Sequence, residues 1–164
     1  VGGAAALIAQ QPDMQVLGAI EDGHPLHQLR PIMRCAAGQT WQWDGVDFEV
    51  LHPLAQDYAA GNKTNAMSCV LRISNGTRSA LLTGDAESAQ EQAIVARQFA
   101  AGASLQADLL VAGHHGSKTS SSAVWLDAVK PRWTLIQQGY RNRYHHPHPK
   151  VLQRLHEQDR KSVV

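Results

Sequence analysis

At 164 residues, with 43% apolar and 18% charged side chains, the chain suits one domain with a real core and is too apolar to be disordered. Its formal charge of +1 excludes a global pull toward nucleic acid, so any such attraction has to be local. No run of about 18 apolar residues exists, which removes a membrane-spanning helix, and no signal peptide is visible.

In chain order, the Ala-rich stretch Gly3 to Gln10 reads as the end of a helix and Val16 to Ile20 as a short strand. Residues 21–38, with Gly, Pro and polar side chains, read as loop. Apolar and polar residues alternate over 41–43 and 46–51 around Asp44-Gly45, a dipeptide that favours a two-residue hairpin turn. A polar loop over 52–66 follows. Cys69 to Ile73 and Ser79 to Thr83 then flank Asn75-Gly76, a second hairpin signal.

Beyond this point the pattern changes. Ala86 to Ala101 reads as a helix, with Ala93, Ile94 and Phe99 spaced for one face. Asp108 to Ala112 is a short apolar strand. Ser122 to Val129 suits a helix that stops before Pro131. Arg132 to Gln137 reads as a buried strand, and Pro149 to Gln158 as a helix with Val151, Leu152 and Leu155 inward. Lys161 to Val164 reads as the start of a strand. Hairpins followed by alternating helix and strand indicate sheets covered by helices, an α/β (α+β) class, in one domain over 1–164. The two cysteines, Cys35 and Cys69, lie outside any CxxC pattern; they fit two buried thiols or one disulfide.

Nine histidines are present and five fall between His114 and His148, which directs attention to three segments that each follow a strand. In the first, Leu81 and Leu82 run into Thr83-Gly84-Asp85. A carboxylate there can bind metal, act as a base, or cap the following helix. In the second, an apolar strand ends in His114-His115-Gly116-Ser117-Lys118-Thr119-Ser120. Adjacent side chains diverge, so one imidazole can ligate a metal while its neighbour faces a substrate. Ser117, Lys118 and Thr119 offer hydroxyls, N–H groups and a cation to a phosphate. The bland alternative is two loop histidines before a helix cap. The third, Gly139 to Lys150, combines three histidines, two tyrosines and three cations, chemistry that holds phosphates and stacks bases. Its bland alternative is a solvated loop whose prolines start a helix.

The order and spacing of these segments resemble the metallo-β-lactamase superfamily. More narrowly, they resemble the C-terminal hydrolase-like domain of the ComEC competence proteins, which take part in DNA uptake. The matching residues are 81–85, Ala107 to Val111, 114–120, and Asn142, Tyr144, His146 and Pro147. Trp43 to Val46, Leu51-His52-Pro53, and Asn65 with Ser68 also resemble that family.

The resemblance implies an αββα sandwich, N-terminally truncated. The family's His-x-His-x-Asp-His motif would lie just upstream of Val1-Gly2-Gly3, together with the early strands. A sheet edge and an apolar face would then be left open. Asp85 would bridge two metals and His115 would be the final histidine ligand. His114 would face the scissile phosphate as a general acid or as a charge on the leaving oxygen, and Lys118, counted with it in the catalytic set, would position the backbone. Ser117, Thr119, Arg141, Asn142, Tyr144 and His146 would contact substrate, with Arg143 helping to position the backbone. The family's further histidine before the Gly-Asp strand has no counterpart in 63–68, and His52 sits in a context that does not match.

The implied cofactor is Zn or Mn, one or two ions, with no small-molecule cofactor. The implied partners are DNA and the membrane channel of the same parent chain. That parent would sit in the bacterial inner membrane with this domain soluble, on the outer or periplasmic face. The expected activity is phosphodiester hydrolysis, absent from residues 1–164 alone. A related metallo-hydrolase for another phosphodiester, a thioester or a lactam is an alternative expectation, and a degenerate DNA-binding or structural module another.

Overall fold

The computed structural model describes residues 3–157 and 161–163. Two compact units divide the chain between Cys35 and Ala36. The first holds α1 (Ala4–Gln10), β1 (Val16–Gly18), α2 (Leu26–Leu29) and β2 (Ile32–Arg34). β1 and β2 pair in parallel, with Val16 opposite Ile32. The sequence predicts loop over 21–38, but α2 and β2 form there. They are too short to carry a period and rest on specific bonds. His24 Nδ1 accepts from the Leu26 N–H at 3.2 Å, and Arg30 donates to the Met14 carbonyl at 2.9 Å.

The second unit is a seven-stranded sheet. In sequence and spatial order its strands are β3 (Thr40–Trp43), β4 (Val46–His52), β5 (Val70–Ser74), β6 (Ser79–Leu82), β7 (Leu109–Val111), β8 (Trp133–Leu135) and β9 (Lys161–Val163). β3 to β6 form an antiparallel meander. Its first turn fits the sequence: Asp44 and Gly45 take φ of 49° and 77°, the double left-handed turn that Asp-Gly favours. The second turn spans four residues, closed by Asn75 N–H to the Arg78 carbonyl and by Asn75 Oδ1, which accepts from Thr77 and Arg78. β6 to β9 run parallel. Parallel neighbours need crossovers, and α3 (Ser88–Ala100), α4 (Ala123–Val129) and α5 (Pro149–Glu157) lie in them. Gln158 and Val164 lie outside the described residues.

The two faces of the sheet differ. One carries Leu81 and Leu110, which join Ile94 of α3, Trp125, Leu126 and Val129 of α4, and Val151 and Leu155 of α5 in one buried cluster. The strand registers put Trp41, Phe48, Ile73, Leu82, Val111 and Leu135 on the other face. Every side chain that β3 to β8 direct there is apolar, the pattern of a sheet meant to be covered on both sides. Trp43 on that face is 69% exposed.

One expectation is corrected. On α3 the inward residues are Glu91 and Ile94, whereas Ala93 and Phe99 are exposed, Phe99 by 86%. The helix rotates so that Glu91 can reach α4: its two oxygens accept the N–H groups of Ser121 and Ser122 at 2.6 and 2.8 Å. Of the two states open to the cysteines, the disulfide is the one present. Cys35 and Cys69 are both disulfide-bonded. Among the described residues no helix is long and apolar enough to cross a membrane.

Burial pushes the Glu91 carboxyl above its ordinary value of 4.5, against the opposing hydrogen bonds from Ser122 and Ser121 and the charge of Arg154. A raised folded-state pKa gives stability that is fully present below the unfolded value and lost as pH rises through the folded one. Urea unfolding should therefore show wild-type stability falling, relative to Glu91→Gln, as pH rises from about 4.5. Glu91→Ala, which strands two buried N–H groups, should cost about 3 kcal/mol.

Candidate metal and phosphate site

The parallel pairing sets the carboxyl ends of β6, β7 and β8 side by side, and all three segments singled out in the sequence leave from that edge. Hydrogen bonds extend the ladder past the strands. Thr83 Oγ1 donates to the Val111 carbonyl at 2.7 Å, His114 N–H to Gly84 O at 2.9 Å, and Ala112 N–H to Leu135 O at 2.8 Å. Gly84 has φ 54°, and the Ser68 hydroxyl accepts the Asp85 N–H at 3.1 Å. Asp85 does not cap the next helix, since α3 begins behind Glu87, whose N–H goes to Gln90 Oε1 at 3.2 Å. The Asp85 carboxylate is thereby left for other work.

His114 and His115 occupy a short 310 turn and both adopt left-handed backbone, φ 48° and 56°. Such conformations cost roughly 1–2 kcal/mol per non-glycine residue. The turn is locked on both sides. A Cβ on Gly113 would stand 2.6 Å from the Ala86 carbonyl oxygen, and one on Gly116 would stand 2.8 Å from Pro147 Cβ. Ser120 Oγ also donates to Gly113 O at 2.6 Å.

The two imidazoles diverge as the sequence suggests for neighbours. His115 Nδ1 meets the Gln137 carbonyl at 2.9 Å, so Nδ1 carries the proton and Nε2 is free. That Nε2 lies 3.5 Å from Asp85 Oδ1. Two donors on one tetrahedral ion at about 2.1 Å are separated by about 3.4 Å, so this pair fits two positions of a metal centre. The Nδ1 bond to a carbonyl is the support a ligating histidine ordinarily has. Among the described residues no group of three such side chains comes together, and they supply two donors rather than a closed set. His52 does not add one: its Nε2 is held by the Ala66 carbonyl at 2.8 Å.

His114 turns the other way. Its Nδ1 meets Glu87 Oε1 at 3.0 Å, which leaves Nε2 without a hydrogen bond among the described residues. The same Glu87 oxygen accepts from Thr119 Oγ1 at 3.0 Å, and Ser117 Oγ lies 3.1 Å from Thr119 Oγ1. Ser117 and Thr119 are thus tied into the turn, while Lys118 is exposed and without a hydrogen bond among the described residues.

The third segment approaches from β8. His148 N–H donates to Gly116 O at 2.9 Å, joining the two loops. His146 packs edge-on to His114 at 6.0 Å and stacks with Tyr144 at 5.8 Å. Burial, and then the charges of His114, His115 and His148, push the His146 pKa below its ordinary value. Asn142 spends its side chain inside the loop, accepting from His146 N–H at 2.9 Å and donating to His146 O at 2.8 Å. Arg141 lies over Tyr140 and Arg143 over Tyr144. A cavity of about 230 Å³ opens between His115, Asn142, Tyr144 and His146. Sequence reasoning missed Glu87 and Gln137. Their positions at a helix entry and a strand end were the available signal, but a lone acid or amide there has many uses.

The sheet and its helices define the fold class, a metallo-β-lactamase-like fold. CmlA, a diiron β-hydroxylase from Streptomyces venezuelae, matches it with a TM-score of 0.60 over 90% of this chain and 38% of its own, at 12% identity. A point mutant of that enzyme matches at 0.57 and 11% identity, with 90% and 37% covered. At such identities the likeness is one of fold alone. No family model matches the chain.

Sequence relatives are nearer. The chain is 43% identical over 138 residues to competence protein ComA of Neisseria gonorrhoeae, covering 84% of this chain and 19% of that protein. It is 36% identical over 155 residues to recombination protein 2 of Haemophilus influenzae, with 94% and 18% covered. It is 36% identical over 149 residues to ComE operon protein 3 of Bacillus subtilis, with 90% and 18% covered. These relatives support a competence-protein family. The chain spans less than a fifth of the length of the curated relatives it matches.

Because the new Cβ would press on a backbone oxygen, Gly113→Ala should cost about 2 kcal/mol in urea unfolding. Gly139→Ala, whose Cβ would meet nothing nearer than Asn142 Cβ at 3.9 Å, should be close to neutral in the same measurement.

Proposed function

We propose that this chain is part of a metal-dependent phosphodiester hydrolase domain that acts on DNA during its uptake. The observation that carries this reading is the Asp85–His115 pair at 3.5 Å, with His115 Nδ1 engaged by Gln137 so that Nε2 faces the carboxylate. In this reading Asp85 and His115 hold Zn or Mn. The metal, when bound, lowers the pKa of water toward 7 and offsets phosphate charge.

The chain's own groups do the rest. His114, aligned through Nδ1 by Glu87, presents Nε2 to the leaving oxygen as general acid. Lys118 and Arg141 attract the strand's phosphates without reading sequence. Tyr144 and His146 wall one side of the cavity beside His115, where they contact the substrate. Asn142 acts by fixing the 142–146 loop, given where its amide is spent. The remaining metal donors and the cover for the apolar sheet face come from a second sheet, encoded upstream in the parent, that completes the domain.

The likeness to a competence protein and a recombination protein favours DNA handling over a lactam or thioester substrate. The parent is a bacterial membrane protein whose channel part works with this domain, which lies on the outer face. The disulfide-bonded state of Cys35 and Cys69 favours that oxidising side. The two-donor set also favours a second reading, a non-catalytic DNA-binding module that keeps the fold.

The test is a parent fragment extended upstream, assayed on DNA with Zn and with Mn. Cleavage should vanish in Asp85→Ala and His115→Ala and fall about 10²–10⁴-fold in His114→Ala, while residues 1–164 alone should not turn over. DNA binding without cleavage in the extended protein would instead favour the binding module. Denatured, unreduced protein should release no thiol to a thiol reagent; two titratable thiols would remove the argument for the outer face.

A further inference from the structure

The opposite end of the parallel strands holds a second cavity of about 400 Å³, lined in part by Arg72, Ser104, Gln106, Asp108, Lys130 and Arg132. Asp108 and Arg132 immediately precede β7 and β8, and Ser79, the first residue of β6, also lines it. Asp85 and His115 follow the other ends of β6 and β7, about 13 Å away along a four-residue strand.

The charge balance of this cavity is unusual. Arg72 reaches it from β5, pinned by a 2.6 Å hydrogen bond to the Ser104 carbonyl that leaves its other N–H groups to the cavity. Lys130 and Arg132 enter from the α4–β8 connection, and neither meets a carboxylate among the described residues. The one acid in the wall is already spoken for. Asp108 Oδ1 binds Arg78 at 2.7 Å and Oδ2 accepts the Ser79 N–H at 2.9 Å. These contacts, the Ser79 bond first, hold its carboxyl below the usual range and in its paired, ionised form.

Three cations from two elements therefore converge on one concavity in a chain whose net charge is only +1. Like charges so placed repel unless an anion joins them. The volume lies within the range of small-ligand sites, and the lining offers hydroxyl and amide donors besides the cations. Planar guanidinium groups suit phosphate oxygens in particular.

We propose that this cavity is a phosphate-directed binding site for a nucleoside phosphate, either free or as the terminal residue of a strand, distinct from the site at Asp85 and His115. Arg72 and Arg132 grip the phosphate oxygens and Lys130 adds charge at the rim. The site stands on its own lining, and the hydrolase reading can fail without it.

Calorimetric titration of the chain with thymidine 5′-monophosphate, and with a short oligothymidylate carrying a 5′-phosphate or a 5′-hydroxyl, tests the assignment. Binding of at least one phosphorylated probe is expected, weakening steeply with salt. Lys130→Gln with Arg132→Gln should weaken it at least about tenfold with an unchanged Tm, because both side chains are exposed. Asp85→Ala with His115→Ala should leave it intact. Binding of the mononucleotide identifies a free ligand, and binding only of the 5′-phosphorylated strand identifies a strand terminus. The proposal is overturned if no phosphorylated probe binds, if the 5′-hydroxyl strand binds as well as the phosphorylated one, or if the Lys130 and Arg132 changes have no effect.

Discussion

The parallel register of β6, β7 and β8 is the constraint on which the rest depends. Leu82, Val111 and Leu135 lie abreast, so whatever follows each strand emerges at one edge. The strands have only three or four residues, and the ladder continues beyond them through Thr83, Ala112 and His114. Asp85, His115 and Gln137 are therefore placed by backbone pairing rather than by flexible loops, which is what a site needing sub-ångström placement requires. The same pairing sends α3, α4 and α5 between the strands, and their apolar residues form the buried cluster with Leu81 and Leu110 beneath the turns.

Strain at the edge follows from what the edge has to present. Two successive imidazoles can point apart from one turn only if the backbone bends sharply, and His114 and His115 do so in the left-handed region. Close packing at Gly113 and Gly116 and the buried Ser120 hydroxyl hold that bend. Each ring is then fixed by a second group, His115 by Gln137 and His114 by Glu87. Glu87 does double service, since it also accepts from Thr119 and joins the Gly-Asp turn to the Ser-Lys-Thr loop.

The sequence carried the elements whose signals are local. Asp44-Gly45, the strand ends at Asp85 and His114, the helix from Ser122 that stops before Pro131 and the inward Val151 and Leu155 all have short-range causes, and the fold agrees with them. Where tertiary contacts decide, the reading failed. Phe99 fits an apolar spacing yet faces solvent, because α3 turns Glu91 inward to hold the start of α4. A buried acid with two backbone donors leaves no mark in a hydrophobic period. The short α2 and β2 have too few residues to show one. In the site, residue identity pointed to Asp85 and the histidines, but not to the partners that orient them, which come from other strands and a helix entry.

Two features of the molecule bear on the proposed domain. The Asp85–His115 pair has the separation of two ligands on one ion without a third beside it among the described residues. The face of the sheet turned away from the helices is apolar along β3 to β8, yet Trp43 on it stands largely in water. A single added layer, a second sheet packed on that face and delivering donors to the carboxyl edge, would remedy both at once. Two unrelated partners would be needed otherwise. That economy is why the proposed hydrolase is assigned to the completed domain, and why the two donors in hand are read as one wall of a site whose geometry this sheet already sets.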